Sequence, residues 1–164
     1  MLRRNFLWLA SKIAIVFAVI GTGFYSLVRA LVPDLFYEPS PLSSVGPPEK
    51  FPEGVTFIQD RRLFVVREGN DFSIISAICQ HLGCTVNYVP LAKTKEVKIK
   101  GKIVKEIWEF ACPCHGSKYY SEGTNYAGPA PKPLPHFEIA RSALTGELMV
   151  NTAKIVKSEQ RLKL

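Results

Sequence analysis

Two short segments that contain cysteine and histidine constrain this chain more than any other feature. They read Cys79-Gln80-His81-Leu82-Gly83-Cys84 and Cys112-Pro113-Cys114-His115-Gly116-Ser117. Together they hold all four cysteines of the chain and two of its three histidines. Thiolate and neutral imidazole are both common metal ligands in proteins. A Cys-x-His pair followed far downstream by a Cys-x-x-His pair therefore predicts a metal centre shared between two loops.

The plain alternative is a structural zinc site. Zinc sites built from cysteine and histidine commonly pair cysteine with cysteine and histidine with histidine at short spacings. Each segment of this chain instead pairs a cysteine with a histidine, which disfavours zinc.

The two segments resemble the ligand boxes of the high-potential Rieske proteins of cytochrome bc complexes, which read C-T-H-L-G-C and C-P-C-H-G-S. This chain departs from them only at Gln80. The resemblance implies one 2Fe–2S cluster per chain and a disulfide between Cys84 and Cys114. It also implies four cluster ligands, which are Cys79, His81, Cys112 and His115. Two imidazoles in place of two thiolates raise the reduction potential to about −150 to +300 mV, against about −400 mV for plant-type ferredoxins.

The resemblance extends to residues that surround the cluster in this family. Ser117 and Tyr119 stand where the family places hydroxyl groups that donate hydrogen bonds to the cluster sulfurs, which raises the potential. Gly128-Pro129-Ala130-Pro131 resembles the family's proline loop, which covers the cluster. Leu82 is expected to shield the cluster and to pack on the membrane partner, and His115 is the expected catalytic imidazole.

The N-terminal segment is apolar. The stretch from Leu7 to Val28 would span about 33 Å as a helix, enough to cross a hydrocarbon core of about 30 Å. Residues 1–32 are therefore expected to form a single transmembrane anchor. Arg3-Arg4-Asn5-Phe6-Leu7 also resembles a twin-arginine export signal, although the two arginines can simply be positive-inside anchor charges. A cleaved signal peptide is the third interpretation, and all three place the rest of the chain on the extracytoplasmic side.

Residues 33–48 are rich in proline and serine and predict a hinge linker without helix or strand. A fixed stalk is the alternative to a hinge. Residues 49–164 then form the head domain, in which short β-branched and aromatic runs separated by turn residues predict strands. The predicted strands lie at 55–58, 63–66, 72–77, 107–110, 136–140 and 147–150. The expected fold is all-β, an antiparallel sandwich or barrel with the cluster at its loop tips, preceded by the one helix.

The spacing between the two ligand boxes is longer than is usual in the family. The extra length lies at Lys93 to Glu106, where alternating residues predict an extended hairpin that turns at Gly101. This hairpin carries six lysines. It is either a solvated hairpin kept soluble by its lysines or a docking surface for an acidic partner or anionic headgroups.

The formal net charge of +7 does not indicate a nucleic-acid-binding protein. Four of the basic residues lie in the N-terminal segment, namely Arg3, Arg4, Lys12 and Arg29. The remaining 17 basic residues face 14 acidic ones, without the aromatic-interleaved basic patch that nucleic-acid binding uses.

The resemblance implies the iron–sulfur subunit of a quinol–cytochrome c or quinol–plastocyanin reductase in a prokaryotic plasma membrane or a thylakoid-type membrane. The implied partners are quinol, a cytochrome b subunit and a c-type cytochrome or plastocyanin, within a dimeric multi-subunit complex. An exported Rieske subunit of a molybdenum enzyme, such as an arsenite oxidase, is the first alternative. A Rieske ferredoxin that serves an oxygenase is the second, and the anchor and the extra cysteine pair argue against it.

Overall fold

The computed structural model describes residues 2–32, 40–99 and 101–164. These residues divide into two units, the N-terminal helix and a β unit that begins at Ser40. The helix is α1 (Leu2–Leu31), and a 3₁₀ turn spans Pro48–Lys50. The strands are β1 (Leu42–Gly46), β2 (Gly54–Ile58), β3 (Leu63–Glu68), β4 (Asp71–Ser76), β5 (Asn87–Ile99), β6 (Lys102–Ala111), β7 (Lys118–Tyr120), β8 (Asn125–Ala127), β9 (His136–Arg141), β10 (Leu148–Val156) and β11 (Leu162–Lys163).

Helix α1 agrees with the predicted anchor. Its stretch Arg3–Leu31 has 29 residues and contains an 18-residue window with a mean hydropathy of 1.9. Large apolar side chains are exposed around it, for example Phe17 and Phe24. A helix that is apolar on all sides requires apolar surroundings, and by length and composition α1 can cross a membrane.

The β unit consists of two antiparallel sheets. The larger has the order β1-β10-β9-β4-β3-β2, with β11 also paired to β4. The smaller has the order β5-β6-β7-β8. The predicted all-β antiparallel fold is confirmed, and each predicted strand lies largely within an observed one. The first ligand box connects β4 in the larger sheet to β5 in the smaller, while the second box connects β6 to β7.

The central strands of the larger sheet are buried on both faces. In β3, Leu63 and Val65 belong to one hydrophobic cluster, whereas Phe64 and Val66 belong to the other. This is why a continuous apolar run, rather than an alternating one, forms β3. The hydrophobic cluster that contains Phe64 lies against the smaller sheet, where the rings of Phe64 and Phe110 stack with centroids 4.5 Å apart.

The predicted linker is wrong over part of its length. Residues 33–39 lie outside the described residues, but Leu42–Gly46 is strand β1. It pairs with β10, and Val45 within it is buried in the core. Its composition resembles a loop, yet an edge strand needs only one partner and tolerates flanking prolines. The head therefore begins before residue 49.

The predicted lysine-rich hairpin is confirmed by the pairing of β5 with β6. Ile99 pairs with Lys102 across the turn at Gly101, and Val97 pairs with Val104. Pairing residues share a face of the ribbon, so this face is partly buried. The opposite face is exposed, and Ile103 on it is 75% accessible.

Two buried carboxylates anchor the inner face of this hairpin. Glu106 accepts hydrogen bonds from the backbone N–H and the hydroxyl of Ser121, both at 2.9 Å. Glu109 accepts from Lys118 at 2.9 Å and from the hydroxyl of Tyr126 at 2.5 Å. Burial raises the pKa of Glu109, but these two partners more than offset it and hold the pKa below its usual value. The ionised carboxylate thus ties β6 to β7 and β8.

Candidate metal centre

The first ligand box folds into a tight loop closed by its own backbone. The Gly83 N–H donates to the Cys79 carbonyl at 3.0 Å, and the Cys79 N–H donates to the Cys84 carbonyl at 2.8 Å. Gly83 has φ +76°, in the left-handed region that glycine enters without steric cost. The glycine therefore lets the chain turn back after His81.

The second ligand box repeats this geometry. The Gly116 N–H donates to the Cys112 carbonyl at 3.2 Å, and the Cys112 N–H donates to the Ser117 carbonyl at 2.8 Å. Gly116 has φ +72°. Because the spacing from cysteine to glycine is four residues in both boxes, the two loops present equivalent cysteines at their bases.

The two loops bring two free thiols and two imidazoles to one end of the β unit. Cys79 and Cys112 are free and buried, with 2% and 4% of their surface exposed. The rings of His81 and His115 meet edge to face with centroids 5.0 Å apart. Two buried thiols and two paired imidazoles, one half-buried at His81 and one exposed at His115, form the donor set that a Rieske cluster requires, so the residues present fit a 2Fe–2S group.

A disulfide joins the two loops. Cys84 and Cys114 are bonded, with their Cα atoms 6.7 Å apart, as the resemblance implied. The sulfur of Cys112 lies within 4.8 Å of both disulfide sulfurs. Three sulfurs at this distance could suggest a three-cysteine metal site, but the two that are bonded to each other have no thiolate to offer. Of these three, only Cys112 is left as a ligand.

Removing the disulfide is expected to destabilise the β unit. Replacing Cys84 and Cys114 together by serine frees two loops that are 30 residues apart. We expect the free energy of unfolding to fall by about 3 kcal/mol because the unfolded chain is no longer cross-linked. Denaturant titration of the chain in detergent, followed by tryptophan fluorescence, measures this loss. An unchanged transition midpoint would contradict the prediction.

Tyr119 connects strand β7 to the first loop. Its hydroxyl accepts the Gln80 N–H at 3.1 Å and lies 3.2 Å from the Cys79 sulfur. Because Gln80 supplies one proton, the hydroxyl proton is available for the sulfur. Burial raises the pKa of Cys79, but the Tyr119 hydrogen bond and smaller contributions outweigh it and leave the pKa lowered. The site therefore favours the thiolate, which is the form that binds metal.

The proline loop packs directly on the second ligand loop. The Ala130 N–H donates to the Ser117 hydroxyl oxygen at 3.2 Å, and the Asn125 amide donates to the Ala130 carbonyl at 2.9 Å. Gly128 approaches so closely that a Cβ built on it would lie 2.5 Å from Ser117 Cα. This contact explains the glycine before Pro129. The proline loop and the second ligand loop are therefore adjacent, while the proline loop's covering of the cluster stays a prediction.

Sequence reasoning missed several supporting contacts. Neither Asn125 nor the Gln80 backbone was expected to take part. Arg62, which reaches the first loop from a turn 21 residues earlier, carries no motif that could reveal it. Leu82 lies beside His81 and is 71% exposed, where a partner can reach it.

Comparison with known proteins agrees with this site. Residues 42–138 match the family model of the Rieske [2Fe-2S] domain. The chain is 34% identical over 99 residues to the cytochrome b6-f complex iron-sulfur subunit of Chlorobaculum tepidum, covering 58% of this chain and 46% of that protein. It is 36% identical over 81 residues to the menaquinol:cytochrome c reductase iron-sulfur subunit of Bacillus subtilis, covering 49% and 41%.

A solved structure, the cyanobacterial plasma membrane Rieske protein PetC3 from Synechocystis PCC 6803, aligns with a TM-score of 0.40 and 26% identity. That alignment covers 66% of this chain and 97% of the other. The matched stretch spans less than half the length of the two relatives named above.

The fold and the paired loops define an iron–sulfur protein. The family match covers more than half of the chain, and the chain belongs to the Rieske [2Fe-2S] domain family. The cofactor expected from the sequence, a 2Fe–2S cluster, is thereby confirmed.

Proposed function

We propose that this chain is the iron–sulfur subunit of a membrane quinol oxidoreductase and transfers single electrons from quinol to a c-type cytochrome or plastocyanin. The observation that carries the proposal is the convergence of two buried thiols and two paired imidazoles on two equivalent, disulfide-linked loops. The similarity to the cytochrome b6-f and menaquinol:cytochrome c reductase subunits supports it.

The proposed ligands divide between the two loops. Cys79 and Cys112 would hold one iron as thiolates, while His81 and His115 would hold the other as imidazoles. When bound, the cluster supplies a one-electron carrier of high potential. The chain's own residues provide the rest, because Cys79 and Cys112 are buried away from water while the His115 imidazole is exposed to a partner.

His115 is the residue proposed to meet the quinol. It is exposed at the tip of the second loop. In the form that carries no proton on Nε2, this ring nitrogen would accept a hydrogen bond from a quinol hydroxyl and take its proton. The exposed side chain of Leu82 on the neighbouring loop would make the apolar contact that keeps water away from this hydrogen bond. Proton transfer would thus accompany quinol oxidation at one residue.

The Tyr119 hydroxyl is expected to tune the potential. A hydrogen bond to a charged group contributes about 1.5–3 kcal/mol, and the more negative reduced state gains more from it. If that difference is about 1.4 kcal/mol, Tyr119→Phe lowers the midpoint potential by about 59 mV. Film voltammetry measures the change in midpoint potential. Tyr120→Phe is the matched control, because the ring of Tyr120 stacks on the ring of Tyr126, with centroids 4.3 Å apart. Equal midpoints in both variants would contradict the prediction.

The proposed location follows from α1. The helix would anchor the chain in the plasma membrane or a thylakoid-type membrane, with the β unit on the extracytoplasmic side, where the disulfide persists. The chain between α1 and β1 would connect the two units, and movement of the head between donor and acceptor is part of the proposal.

Purification from native membranes tests the function. A tagged chain isolated in mild detergent should co-purify with b-type haem, detected by its absorption spectrum. Addition of quinol should then reduce the 2Fe–2S cluster of the chain. A His115→Ala chain should co-purify with the same haem but stay unreduced. Co-purification with a molybdenum subunit and no b-type haem would overturn the proposal.

A further inference from the structure

Arg62 holds an unfavourable backbone conformation. It lies in the turn between β2 and β3 with φ +53°, and among the described residues it alone combines a positive φ with a side chain. The left-handed region is sterically unfavourable for a residue with a Cβ. Glycine or asparagine would fit this turn better, so the turn by itself gives no reason for arginine.

The Arg62 side chain accounts for its presence. Its Nε donates to the Thr85 hydroxyl at 3.0 Å, and its Nη2 donates to the Gly83 carbonyl. Its own carbonyl accepts the Ala77 N–H at 2.8 Å. One residue therefore binds the chain both before and after the first ligand loop.

The two side-chain contacts lie on either side of Cys84. This cysteine forms the disulfide to Cys114 in the second loop. Guanidinium is planar, permanently charged and bonds through a rigid fork, so it restricts Gly83 and Thr85 together. Because both neighbours of Cys84 are restrained, the half of the disulfide that belongs to the first loop is restrained as well.

We propose that Arg62 is a positioning residue for the metal centre, fixing the first ligand loop and its disulfide through Gly83 and Thr85 and placing a positive charge against that loop. The second half of this proposal rests on the ligand assignment made under the proposed function. A cation near the cluster favours the more negative reduced state, so Arg62 is expected to raise the midpoint potential. The first half concerns the disulfide alone.

The chain provides a matched control in the preceding residue. Arg61 carries the same charge, but it lies 3.8 Å from the Asp60 carboxylate and its side chain is 37% exposed. Arg61→Gln removes one positive charge from the same turn without touching the loop. Arg62→Gly and Arg62→Asn remove the guanidinium while suiting the left-handed backbone, so they are not expected to unfold the turn.

Disulfide reduction is the primary test. The full chain in detergent is treated with a water-soluble phosphine, and thiols at Cys84 and Cys114 are alkylated and quantified by mass spectrometry over time. We expect about tenfold faster reduction in Arg62→Gly and Arg62→Asn, an intermediate rate in Arg62→Lys, and a wild-type rate in Arg61→Gln. Rates in both Arg62 variants within twofold of Arg61→Gln would overturn the proposal.

The midpoint potential is the second readout. We expect Arg62→Gly to shift the one-electron equilibrium about tenfold toward the oxidised state, which lowers the midpoint potential by about 59 mV. Arg62→Lys should restore most of this loss of potential. A midpoint in Arg62→Gly equal to that of Arg61→Gln would refute the electrostatic part. If the wild-type chain binds no cluster, the ligand assignment fails, while the disulfide rates still decide whether Arg62 restrains the loop.

Discussion

Replacing His115 with alanine is expected to leave the purified chain without its iron. A 2Fe–2S cluster with mixed ligands depends on two imidazoles for one of its irons, and no other residue on the second loop can replace His115. The ring is exposed and contributes nothing to the hydrophobic core. We therefore expect the β unit to remain folded while iron and acid-labile sulfide fall to background. Metal analysis and circular dichroism on the same sample measure both.

The third histidine supplies the control for this experiment. His136 is buried in β9, and its Nε2 lies 2.9 Å from the Glu122 carbonyl. His136→Gln should reduce stability because it disturbs a buried hydrogen bond, yet it should retain the cluster. If His115→Ala retained two irons per chain, or if His136→Gln lost them while still folded, the proposed ligand set would be wrong.

Replacing Gly128 with alanine is expected to dislodge the proline loop. The new Cβ would lie 2.5 Å from Ser117 Cα and 2.8 Å from the Gly116 carbonyl oxygen, both backbone atoms that cannot move aside alone. Gly128 also has φ +81°. Overpacking and backbone strain together are expected to cost on the order of 4 kcal/mol. Denaturant titration measures the loss, and cluster release should become faster because the loop no longer packs on the second ligand loop.

Gly101 separates the two causes of this effect. It has φ +85°, close to that of Gly128, but a Cβ built on it meets nothing within 4 Å. Gly101→Ala at the hairpin turn should therefore cost only the backbone strain, about 1 kcal/mol. The difference between the two variants isolates the steric contact with the second ligand loop. Equal losses in the two variants would show that close packing of the proline loop is unimportant.

The side chains expected to hold the metal lie close together along the chain, so the sequence alone indicates the chemistry of the site. Each ligand pair lies within one loop of six residues, where spacing alone determines which side chains share a turn. The glycine that follows each histidine by one or two positions supplies the positive φ that closes the loop. For the same reason, the resemblance to Rieske proteins and the expected cofactor could be recognised without a structure.

Local pattern also predicted the central strands but not the edges. β3 and β4 are buried on both faces, so their composition is distinctive. β1 has only one partner strand, and its sequence Leu-Ser-Ser-Val-Gly resembles a loop. Strands β7 and β8 have three residues each, too few for a period to show. β7 is positioned by pairing with β6, and β8 by pairing with β7, which is a property of the sheet.

The sequence by itself determined the metal chemistry, the apolar helix and the all-β class, because each depends on residue types at short spacing. The tertiary structure decided what surrounds the site. Only folding brings the Tyr119 hydroxyl to the Cys79 sulfur across 40 positions and the Arg62 guanidinium to both sides of Cys84. Such contacts join a turn or a strand to a distant loop, and their partners depend on how the sheets place these segments, which spacing along the chain does not encode.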